Sequence, residues 1–279
     1  MFTVFGATGN TGSIVVERLL AAGKQVRAVA RKRSATLKAT EVALGDVTDA
    51  AFVAEALARA EGAYLLLPPD LASNDVLGKN RRIVDIYARA LQTANVAHAV
   101  FLSSVGSQLP SGTGPILATH YAEQTLAGKV TFLRAAYFME NILANAYPMK
   151  SEGVLPVFGG GEGYPFPMVA TRDIGATAAD ALLAPPGATQ WIELRGPRDY
   201  SFVDAAATAS QILGRPVTAT ALPIEQLVPT LTKLGFSETM ASLYREMTEA
   251  FGKGLGVEGK WRSIRGAAQL ADWLRRGLA

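Results

Sequence analysis

Short runs of consecutive apolar residues alternate with longer amphipathic stretches through the first half of this 279-residue chain. In the stretch 75–95, apolar side chains such as Val76, Ile83 and Tyr87 fall on one face at helical spacing. Uninterrupted apolar runs such as 63–67 (AYLLL) are typical of strands that are buried on both faces of a parallel sheet. The pattern predicts strands at 2–5, 25–30, 41–44, 63–67 and 98–102, and helices at 11–22, 49–60 and 75–95.

Strands that alternate with helices in this way pair in parallel, because each helix returns the chain to the same edge of the sheet in a right-handed crossover. The predicted fold class is therefore α/β, with a parallel sheet that is covered on both faces. We assign residues 1–150 to this domain.

After residue 135 the pattern changes, and Gly and Pro cluster at 153–167. We interpret residues 151–279 as a smaller, mixed lobe that holds substrate at the carboxyl edge of the sheet, and leave open whether the chain crosses between the lobes more than once. The polar face with Arg245, Glu246 and Glu249 is predicted to be solvated. Helices are predicted at 172–184, 202–213, 224–235 and 237–252, and strands at 190–194 and 217–221.

The most specific motif is GATGNTG at 6–12, a Gly-x-x-Gly-x-x-Gly pattern between the first strand and the first helix. Gly6 permits a sharp turn, Gly9 lets a diphosphate approach the backbone, and Gly12 permits close helix–strand packing. The alternative, glycines that only close a tight turn, explains three glycines in seven residues less well. The motif predicts an NAD(P)-binding Rossmann domain with cofactor contacts at Gly6, Ala7, Thr8, Gly9, Asn10, Thr11 and Gly12.

The chain after the second strand bears on the choice of cofactor. Arg31 and Arg33 stand where proteins selective for NAD place an acidic residue, and an arginine there accommodates the 2′-phosphate of NADP. Arg31 follows the glycines by about the 20 residues expected. We predict NADPH as the cofactor, and the alternative is a solvated basic loop.

Three weaker features fit the same pocket. A carboxylate after the third strand would lie near the adenine, unless it is an ordinary turn residue. The backbone after the fourth strand would flank the ribose and nicotinamide, and two hydroxyls end the fifth strand, where serines also commonly form turns. These residues are Asp46, then Leu66, Leu67 and Pro68, and then Ser103 and Ser104.

With these motifs the chain resembles the NmrA-like family, an atypical branch of the short-chain dehydrogenase/reductases. The resemblance implies a Rossmann domain with a smaller C-terminal substrate lobe. It also implies kinship with NADPH-dependent quinone oxidoreductases, triphenylmethane reductases and NmrA-type regulators that bind dinucleotide without known turnover. It is carried by GATGNTG (6–12), VARKR (29–33), LGD (44–46), FLSS (101–104), GTGPILATHYAEQTL (112–126), FLRAAYFMENIL (132–143), TRDIGATAADALL (171–183) and RGPRDYS (195–201).

Typical members of that superfamily donate a proton from a Tyr-x-x-x-Lys pair on the helix after the fifth strand. Many extended members carry a Glu four residues after the Lys. Anchoring on Glu123 puts Thr119 at the lysine position and Pro115 at the tyrosine position, and a slip of one residue puts His120 at the lysine position. Tyr121 points to the opposite face of the helix and is predicted to pack. The pair is therefore missing.

This absence favours some acceptors over others. A simple ketone needs a positioned proton donor because an alkoxide is a poor product, whereas a quinone or cationic dye gives a stabilised product that water can protonate. We therefore favour an NADPH-dependent oxidoreductase that transfers hydride to a quinone-like or other conjugated small molecule. His120 is the candidate catalytic residue, as a proton relay or ribose ligand, unless it is a surface or capping histidine. The alternative is a non-catalytic NADP(H)-sensing regulatory protein of NmrA type.

Aromatic residues beside and within the Gly/Pro-rich segment predict a wall for a flat substrate ring. Two alternatives stay open: Phe138 and Phe158 are core between the lobes, and Glu140 and Asn141 hydrogen-bond across the lobe junction. The predicted substrate contacts are Tyr137, Phe138, Asn141, Phe158 and Tyr164, with Met139 and Phe166 beside them.

Composition excludes several other classes of protein. Hydrophobic residues make up 49% of the chain and charged residues 18%, which excludes an intrinsically disordered chain. Without cysteine and with only two histidines, no metal site is expected. A net charge of +3 without a long Lys/Arg tract argues against nucleic acid as a partner. Neither a membrane span nor a signal peptide is visible, so we expect a cytoplasmic protein, with its oligomeric state open and a homodimer as one option.

Overall fold

The computed structural model describes residues 1–35, 37–126, 128, 130–252 and 261–279. Within them the strands are β1 (Phe2–Val4), β2 (Val26–Ala30), β3 (Glu41–Leu44), β4 (Gly62–Leu65), β5 (His98–Ser104), β6 (Val130–Ala135), β7 (Tyr137–Phe138), β8 (Val154–Phe158), β9 (Phe166–Val169), β10 (Gln190–Arg195), β11 (Asp199–Tyr200), β12 (Thr218–Leu222) and β13 (Arg262–Arg265). The helices are α1 (Gly12–Ala21), α2 (Ala50–Leu57), α3 (Val76–Ala94), α4 (Leu117–Thr125), α5 (Ala146–Ser151), α6 (Thr171–Leu183), α7 (Phe202–Leu213), α8 (Leu227–Lys233), α9 (Glu238–Gly252) and α10 (Leu270–Leu278). Short 3₁₀ helices cover Gly114–Ile116, Met139–Asn145 and Ile224–Gln226. None of these described helices is long and apolar enough to cross a membrane.

Eight strands of the described chain form one sheet in the order β3-β2-β1-β4-β5-β6-β10-β13, and every neighbouring pair is parallel. The strand order reverses at β1, where Phe2 lies opposite Val26 of β2 on one side and Gly62 of β4 on the other. Open α/β sheets bind ligands at the carboxyl edge beside such a reversal. The α/β fold with a parallel, Rossmann-type sheet is confirmed.

Helices cover both faces of this sheet, which explains the uninterrupted apolar runs. On one face Val4 packs with Leu19 of α1. On the other face the ring of Phe5 meets Tyr87 of α3 edge-on, with 5.2 Å between the ring centroids. Successive residues of the central strands therefore alternate between two apolar layers, and both layers need large apolar side chains.

Strand β6 is central to the sheet, yet the hydrophobic pattern does not predict it. Thr131 and Arg134 interrupt its apolar run, although all six of its residues are buried. Burial of Arg134 is possible because Glu123 of α4 pairs with it. Elsewhere the predictions agree closely with the structure: the strand at 41–44 and the helix at 202–213 begin and end at the predicted residues.

The second half of the chain builds two small sheets, β7-β9-β11 and β8-β12. Helices α5, α7 and α10 pack there around a separate core that includes Met149, Leu155 and Leu274. The chain also returns to the large sheet, because β10 and β13 extend its edge and α6 packs on α1. The division into a domain at 1–150 and a lobe at 151–279 stays a prediction.

Candidate functional site

The loop at 6–12 has a backbone that requires glycine at two positions. Gly6 has a φ of +63°, and its carbonyl oxygen accepts the Gly9 N–H at 2.9 Å. A Cβ on Gly12 would lie 2.2 Å from that same oxygen, so no side chain fits there. Residues 8–10 are exposed at the carboxyl edge of the sheet. The loop therefore has the shape that lets a diphosphate approach the backbone.

Two neighbouring elements hold the start of α1 beside this loop. The buried Tyr64 of β4 donates its hydroxyl to Thr11 Oγ1 at 2.9 Å, and burial raises the pKa of Tyr64 far above its usual value. On the other side, a Cβ on Gly175 of α6 would lie 2.7 Å from the Thr11 carbonyl oxygen. In the described chain the Thr11 side chain makes no capping hydrogen bond to α1. The helix N-terminus thus keeps N–H groups and a positive dipole for an anion.

Strand β2 brings two arginines to the same edge. The Ala7 N–H donates to the Val29 carbonyl at 3.1 Å, which joins the loop to the end of β2. Arg31 and Arg33 follow immediately, and both side chains are exposed. Their contact with a 2′-phosphate stays a prediction.

Asp46 follows β3 near these arginines. Its Oδ1 accepts the backbone N–H of Thr48 at 2.9 Å and the Thr48 hydroxyl at 2.8 Å. These hydrogen bonds, with the positive charges of Lys79 and Arg31 nearby, hold the pKa of Asp46 below its usual value. The carboxylate is therefore ionised and held in a turn, and its contact with an adenine stays a prediction.

The residues after β4 lie against the loop at 6–12. A Cβ on Gly6 would lie 2.9 Å from Leu66 Cδ2, and the Leu66 carbonyl accepts the Tyr87 hydroxyl at 3.2 Å. Leu66, Leu67 and Pro68 are all partly exposed. Because β4 pairs with β1, these three residues border the same edge as the glycine loop.

The two serines at the end of β5 have different surroundings. Ser103 is buried, and its hydroxyl donates to Glu123 Oε1 at 2.6 Å. Ser104 is partly exposed, and its hydroxyl donates to the Val105 carbonyl at 3.0 Å. Ser103 is thus held by the protein interior, and the partly exposed Ser104 is better placed for the predicted contact with a ligand.

Glu123 and Arg134 form a buried ion pair behind the end of β5. Arg134 donates to both carboxylate oxygens, from Nε at 2.9 Å and from Nη2 at 2.5 Å. Trp191 Nε1 donates to Oε2 at 3.0 Å, and the Arg134 guanidinium lies 4.6 Å from the centre of the Trp261 ring. The two charged side chains are only 6% and 3% exposed, so neither charge has water as a substitute partner.

A hydroxyl and an imidazole, those of Thr119 and His120, occupy the two α4 positions that align with the missing lysine. Thr119 Oγ1 donates to the Ile116 carbonyl at 2.8 Å and lies 2.6 Å from Ser107 Oγ. His120 Nδ1 lies 2.7 Å from the Ser107 carbonyl oxygen. Because a carbonyl only accepts, Nδ1 carries a proton, and in the neutral tautomer that matches this contact the lone pair is on Nε2. This orientation suits a proton relay, which stays a prediction.

Tyr121 faces away from that network. Its hydroxyl donates to Asp85 of α3 at 2.8 Å, and the Arg81 guanidinium lies 5.6 Å from its ring centre. These contacts agree with the packing role predicted from its position on the helix.

The predicted substrate wall divides at β7. The ring of Tyr137 meets Phe166 and Phe202 edge-on, with centroids 5.5 and 6.1 Å away, at the core of the smaller lobe. Burial raises the pKa of Tyr137, so its hydroxyl stays protonated. Phe138, the next residue, packs against the core of the large sheet because successive side chains of a strand point in opposite directions.

The other predicted substrate contacts are more exposed or lie at the end of a strand. Asn141 is exposed, Tyr164 is 67% exposed, and Phe158 ends β8 opposite Leu222 of β12. Glu140 Oε1 accepts the Thr171 N–H at 2.9 Å and the Thr171 hydroxyl at 2.5 Å, which joins the 3₁₀ helix after β7 to α6. Substrate contact at these positions stays a prediction.

Helix α9 packs against the loops that follow β4 and β5, a contact that the sequence analysis did not predict. Ser237, before α9, donates its hydroxyl to the Ser73 carbonyl at 2.6 Å. Further along, a Cβ on Gly114 would lie 2.0 Å from the Leu243 carbonyl oxygen. The Gly114 N–H also donates to Glu246 Oε1 at 3.4 Å, so the prediction of a solvated face is wrong for Glu246.

Two polar side chains in the loop after β5 were missed as well. Gln108 Nε2, Gln108 Oε1 and Thr113 Oγ1 are buried and have no hydrogen-bond partner in the described residues. The segment 106–114 (GSQLPSGTG) predicts a surface loop, because Gly, Pro and Ser dominate it. The loop is also contacted from far along the chain, because Glu246, which accepts the Gly114 N–H, lies 132 residues away.

The model of the NmrA-like family matches residues 1–262. The chain belongs to this family. One curated relative of this NmrA-like protein, an NAD(P)H azoreductase from Xenophilus azovorans, is 30% identical over 88% of the chain and 86% of the relative. A (4-alkanoyl-5-oxo-2,5-dihydrofuran-3-yl)methyl phosphate reductase from Streptomyces griseus is 30% identical over 78% of the chain and 75% of the relative.

Solved structures share the fold of this NmrA-like protein. The match to an NADPH-dependent quinone oxidoreductase from Escherichia coli, crystallised with NADPH, has a TM-score of 0.78 at 21% identity and spans 99% of each chain. The match to a triphenylmethane reductase from Citrobacter sp., complexed with NADP(H), has a TM-score of 0.78 at 22% identity and spans the whole of each chain. At this identity the likeness shows the fold.

Proposed function

We propose that this NmrA-like protein is an NADPH-dependent oxidoreductase that transfers hydride to a quinone-like or other conjugated small molecule. The observation that carries the proposal is the loop at 6–12, where Gly12 lies directly against the Gly6 carbonyl at the start of α1, with Arg31 and Arg33 exposed beside it. The azoreductase at 30% identity supports the same coenzyme class.

The residues present fit NADPH. The Cβ that Gly12 lacks would fill the loop, and the exposed backbone of residues 8–10 is open to a diphosphate. Arg31 and Arg33 would hold the 2′-phosphate, and Asp46 would lie near the adenine. When bound, NADPH supplies a hydride and is left as NADP⁺. The protein's part is to hold the coenzyme and the acceptor in the orientation for that transfer and to limit access of water.

The nature of α4 supports a conjugated acceptor. Pro115, in the 3₁₀ helix just before α4, stands at the tyrosine position, and Thr119 of α4 stands at the lysine position. Neither residue has an ionisable side chain that could donate a proton as a tyrosine does. A quinone that gains a hydride becomes a hydroquinone monoanion, which needs one proton to become the hydroquinone and can take it from water. The names of the relatives describe reduction of an azo group and of an unsaturated lactone, which are also conjugated acceptors. His120 is the residue we propose to pass a proton, through the Nε2 that its Nδ1 contact leaves facing away from Ser107.

Coenzyme selection tests the proposal. Arg31→Glu should raise the dissociation constant for NADPH by about ten- to a hundredfold, because a charge-assisted hydrogen bond is replaced by repulsion, and should change NADH binding little. Arg89→Glu, an exposed charge reversal on α3, is the matched control. Binding is measured by nicotinamide fluorescence at low salt. Equal dissociation constants of the natural protein for NADH and NADPH would contradict the assignment.

Turnover is tested separately, by following NADPH absorbance against a panel of quinones, azo dyes, triphenylmethane dyes, enones and aldehydes. We expect quinones or dyes to be reduced and simple aldehydes to be inert. Tight NADPH binding without turnover of any acceptor would instead favour a non-catalytic NADP(H) sensor.

A further inference from the structure

Gln108 lies in the loop between β5 and α4, at a point where the backbone is held firmly on both sides. The preceding Ser107 accepts the Ser104 N–H at 3.3 Å through its hydroxyl, which also lies 2.6 Å from Thr119 Oγ1. The Ser107 carbonyl is bound by His120, and the following Leu109 donates its N–H to the Gly106 carbonyl at 3.0 Å. The position of the Gln108 backbone is therefore set before any ligand arrives.

The Gln108 side chain is left unsatisfied by the protein. In the part of the chain that the structure describes, both Nε2 and Oε1 are buried without a hydrogen-bond partner, and Thr113 Oγ1 in the same loop shares this condition. Leaving a buried amide unpaired destabilises a protein by about 1–3 kcal/mol, and native proteins rarely tolerate it without a reason. A missing ligand is one such reason.

The loop lies on the acceptor side of the sheet's carboxyl edge. It follows β5, the neighbour of β4, whereas the glycine loop and the arginines follow β1 and β2. Helix α9 covers it through Gly114 and is tied to the loop after β4 through Ser237 and Ser73. The unpaired amide thus belongs to the loop that follows β5, away from the loops after β1 and β2 that carry the groups proposed to hold the diphosphate and the 2′-phosphate of the coenzyme.

We propose that the Gln108 side-chain amide determines specificity by hydrogen-bonding the carbonyl oxygen of the acceptor; this inference rests on the proposed function. An amide carries both a donor and an acceptor. Nε2–H would donate to the carbonyl of the oxidised substrate, and Oε1 would accept from the hydroxyl of the reduced product. One side chain therefore carries a partner for each form, which suits a reaction that turns a carbonyl into a hydroxyl.

The test compares Gln108→Leu with Gln124→Leu, an exposed glutamine on α4, using a 1,4-naphthoquinone at saturating NADPH. We expect Gln108→Leu to lower kcat/KM for the quinone by about three- to tenfold, the effect of one neutral hydrogen bond, and Gln124→Leu to leave it unchanged. We also expect the free Gln108→Leu protein to melt at the same temperature as the natural protein or higher, because an apolar side chain replaces an unpaired amide. A glutamine with a purely structural role would show the opposite, a lower melting temperature.

Two further measurements separate the possible failures. If Gln108→Leu weakens NADPH binding in the absence of acceptor, the amide serves the coenzyme's carboxamide and the proposal is overturned. If the natural protein reduces the quinone and Gln108→Leu does so equally well, the proposal is also overturned, while the proposed function stands. If the natural protein binds NADPH but reduces no acceptor, the proposed function itself fails, and this inference fails with it.

Discussion

The loops at 6–12 and 105–116 lie at the same edge of one sheet, yet they are held in different ways. Main-chain contacts set the shape of the first loop, where Gly12 packs on the Gly6 carbonyl, and one side-chain hydrogen bond, from Tyr64 to Thr11, joins it to β4. Side chains from other elements hold the second loop, among them His120 and Glu246. A loop whose shape is set by main-chain contacts offers N–H groups to any diphosphate. A loop that is held by side chains changes its chemistry when one of those side chains is substituted. The first suits a coenzyme common to many enzymes, and the second suits selection of one acceptor.

The strongest challenge to the side-chain contacts behind the second loop is Glu123→Gln, because Glu123 binds Ser103, whose hydroxyl lies 3.0 Å from Ser107 Oγ in that loop. This change leaves the Arg134 charge buried without its partner and removes the carboxylate to which Ser103 and Trp191 donate. We expect the free energy of unfolding to fall by about 3–5 kcal/mol. Denaturant titration followed by tryptophan fluorescence measures the change.

Glu249→Gln is the matched control for that experiment. Glu249 pairs with Arg245 along α9 at 2.9 Å, and both side chains are about two-fifths exposed, at 40% and 43%. Such a surface pair contributes only about 0.3–0.5 kcal/mol. A loss in Glu123→Gln no larger than in this control would mean that the buried ion pair behind the second loop stabilises the protein no more than a surface pair does.

Gly12→Ala challenges the first loop. The new Cβ would meet the Gly6 carbonyl, so the loop or α1 must shift, with an expected loss of about 1–3 kcal/mol of stability. NADPH binding should fall far more than stability does, because the anion site is the part that moves. Gly187→Ala, at an exposed glycine with open space around it, should change neither quantity. Unchanged NADPH binding in a folded Gly12→Ala protein would refute the backbone account of this loop.

The smallest expected effect concerns acid sensitivity at Asp46. The pKa of Asp46 in the folded protein lies below the ordinary carboxyl value of about 4. The ionised carboxylate therefore stabilises the folded protein above that ordinary value. This contribution is lost as the pH falls through the folded-state pKa. Asp46→Asn should therefore differ from the natural protein by no more than about 0.5 kcal/mol at neutral pH, and the difference should vanish in acid. Urea midpoints across a pH series measure it. A difference that is constant with pH would rule out this linkage.

The comparison also explains which parts of the site could be predicted. The glycine loop and Arg31 follow strands that the hydrophobic pattern identifies, and each role depends on residues close together in sequence. The packing of Tyr121 followed from helical periodicity alone. The burial of Arg134 in β6 could not be predicted, because it depends on Glu123 from a neighbouring helix. The aromatic residues at 137–166 looked alike in sequence, yet alternation along β7 sends Tyr137 and Phe138 into different cores.

By itself the sequence determined the parallel sheet and the glycine turn at its first crossover, because periodicity and local spacing encode both. The missing Tyr–Lys pair follows instead from the resemblance to the family, whose pattern the residues of α4 do not match. Only the tertiary structure decided that α9 covers the loop after β5 and that the Gln108 amide is buried there. Whether a residue is buried depends on which other parts of the chain pack against it. When those parts lie more than a hundred residues away, no local sequence pattern predicts the contact.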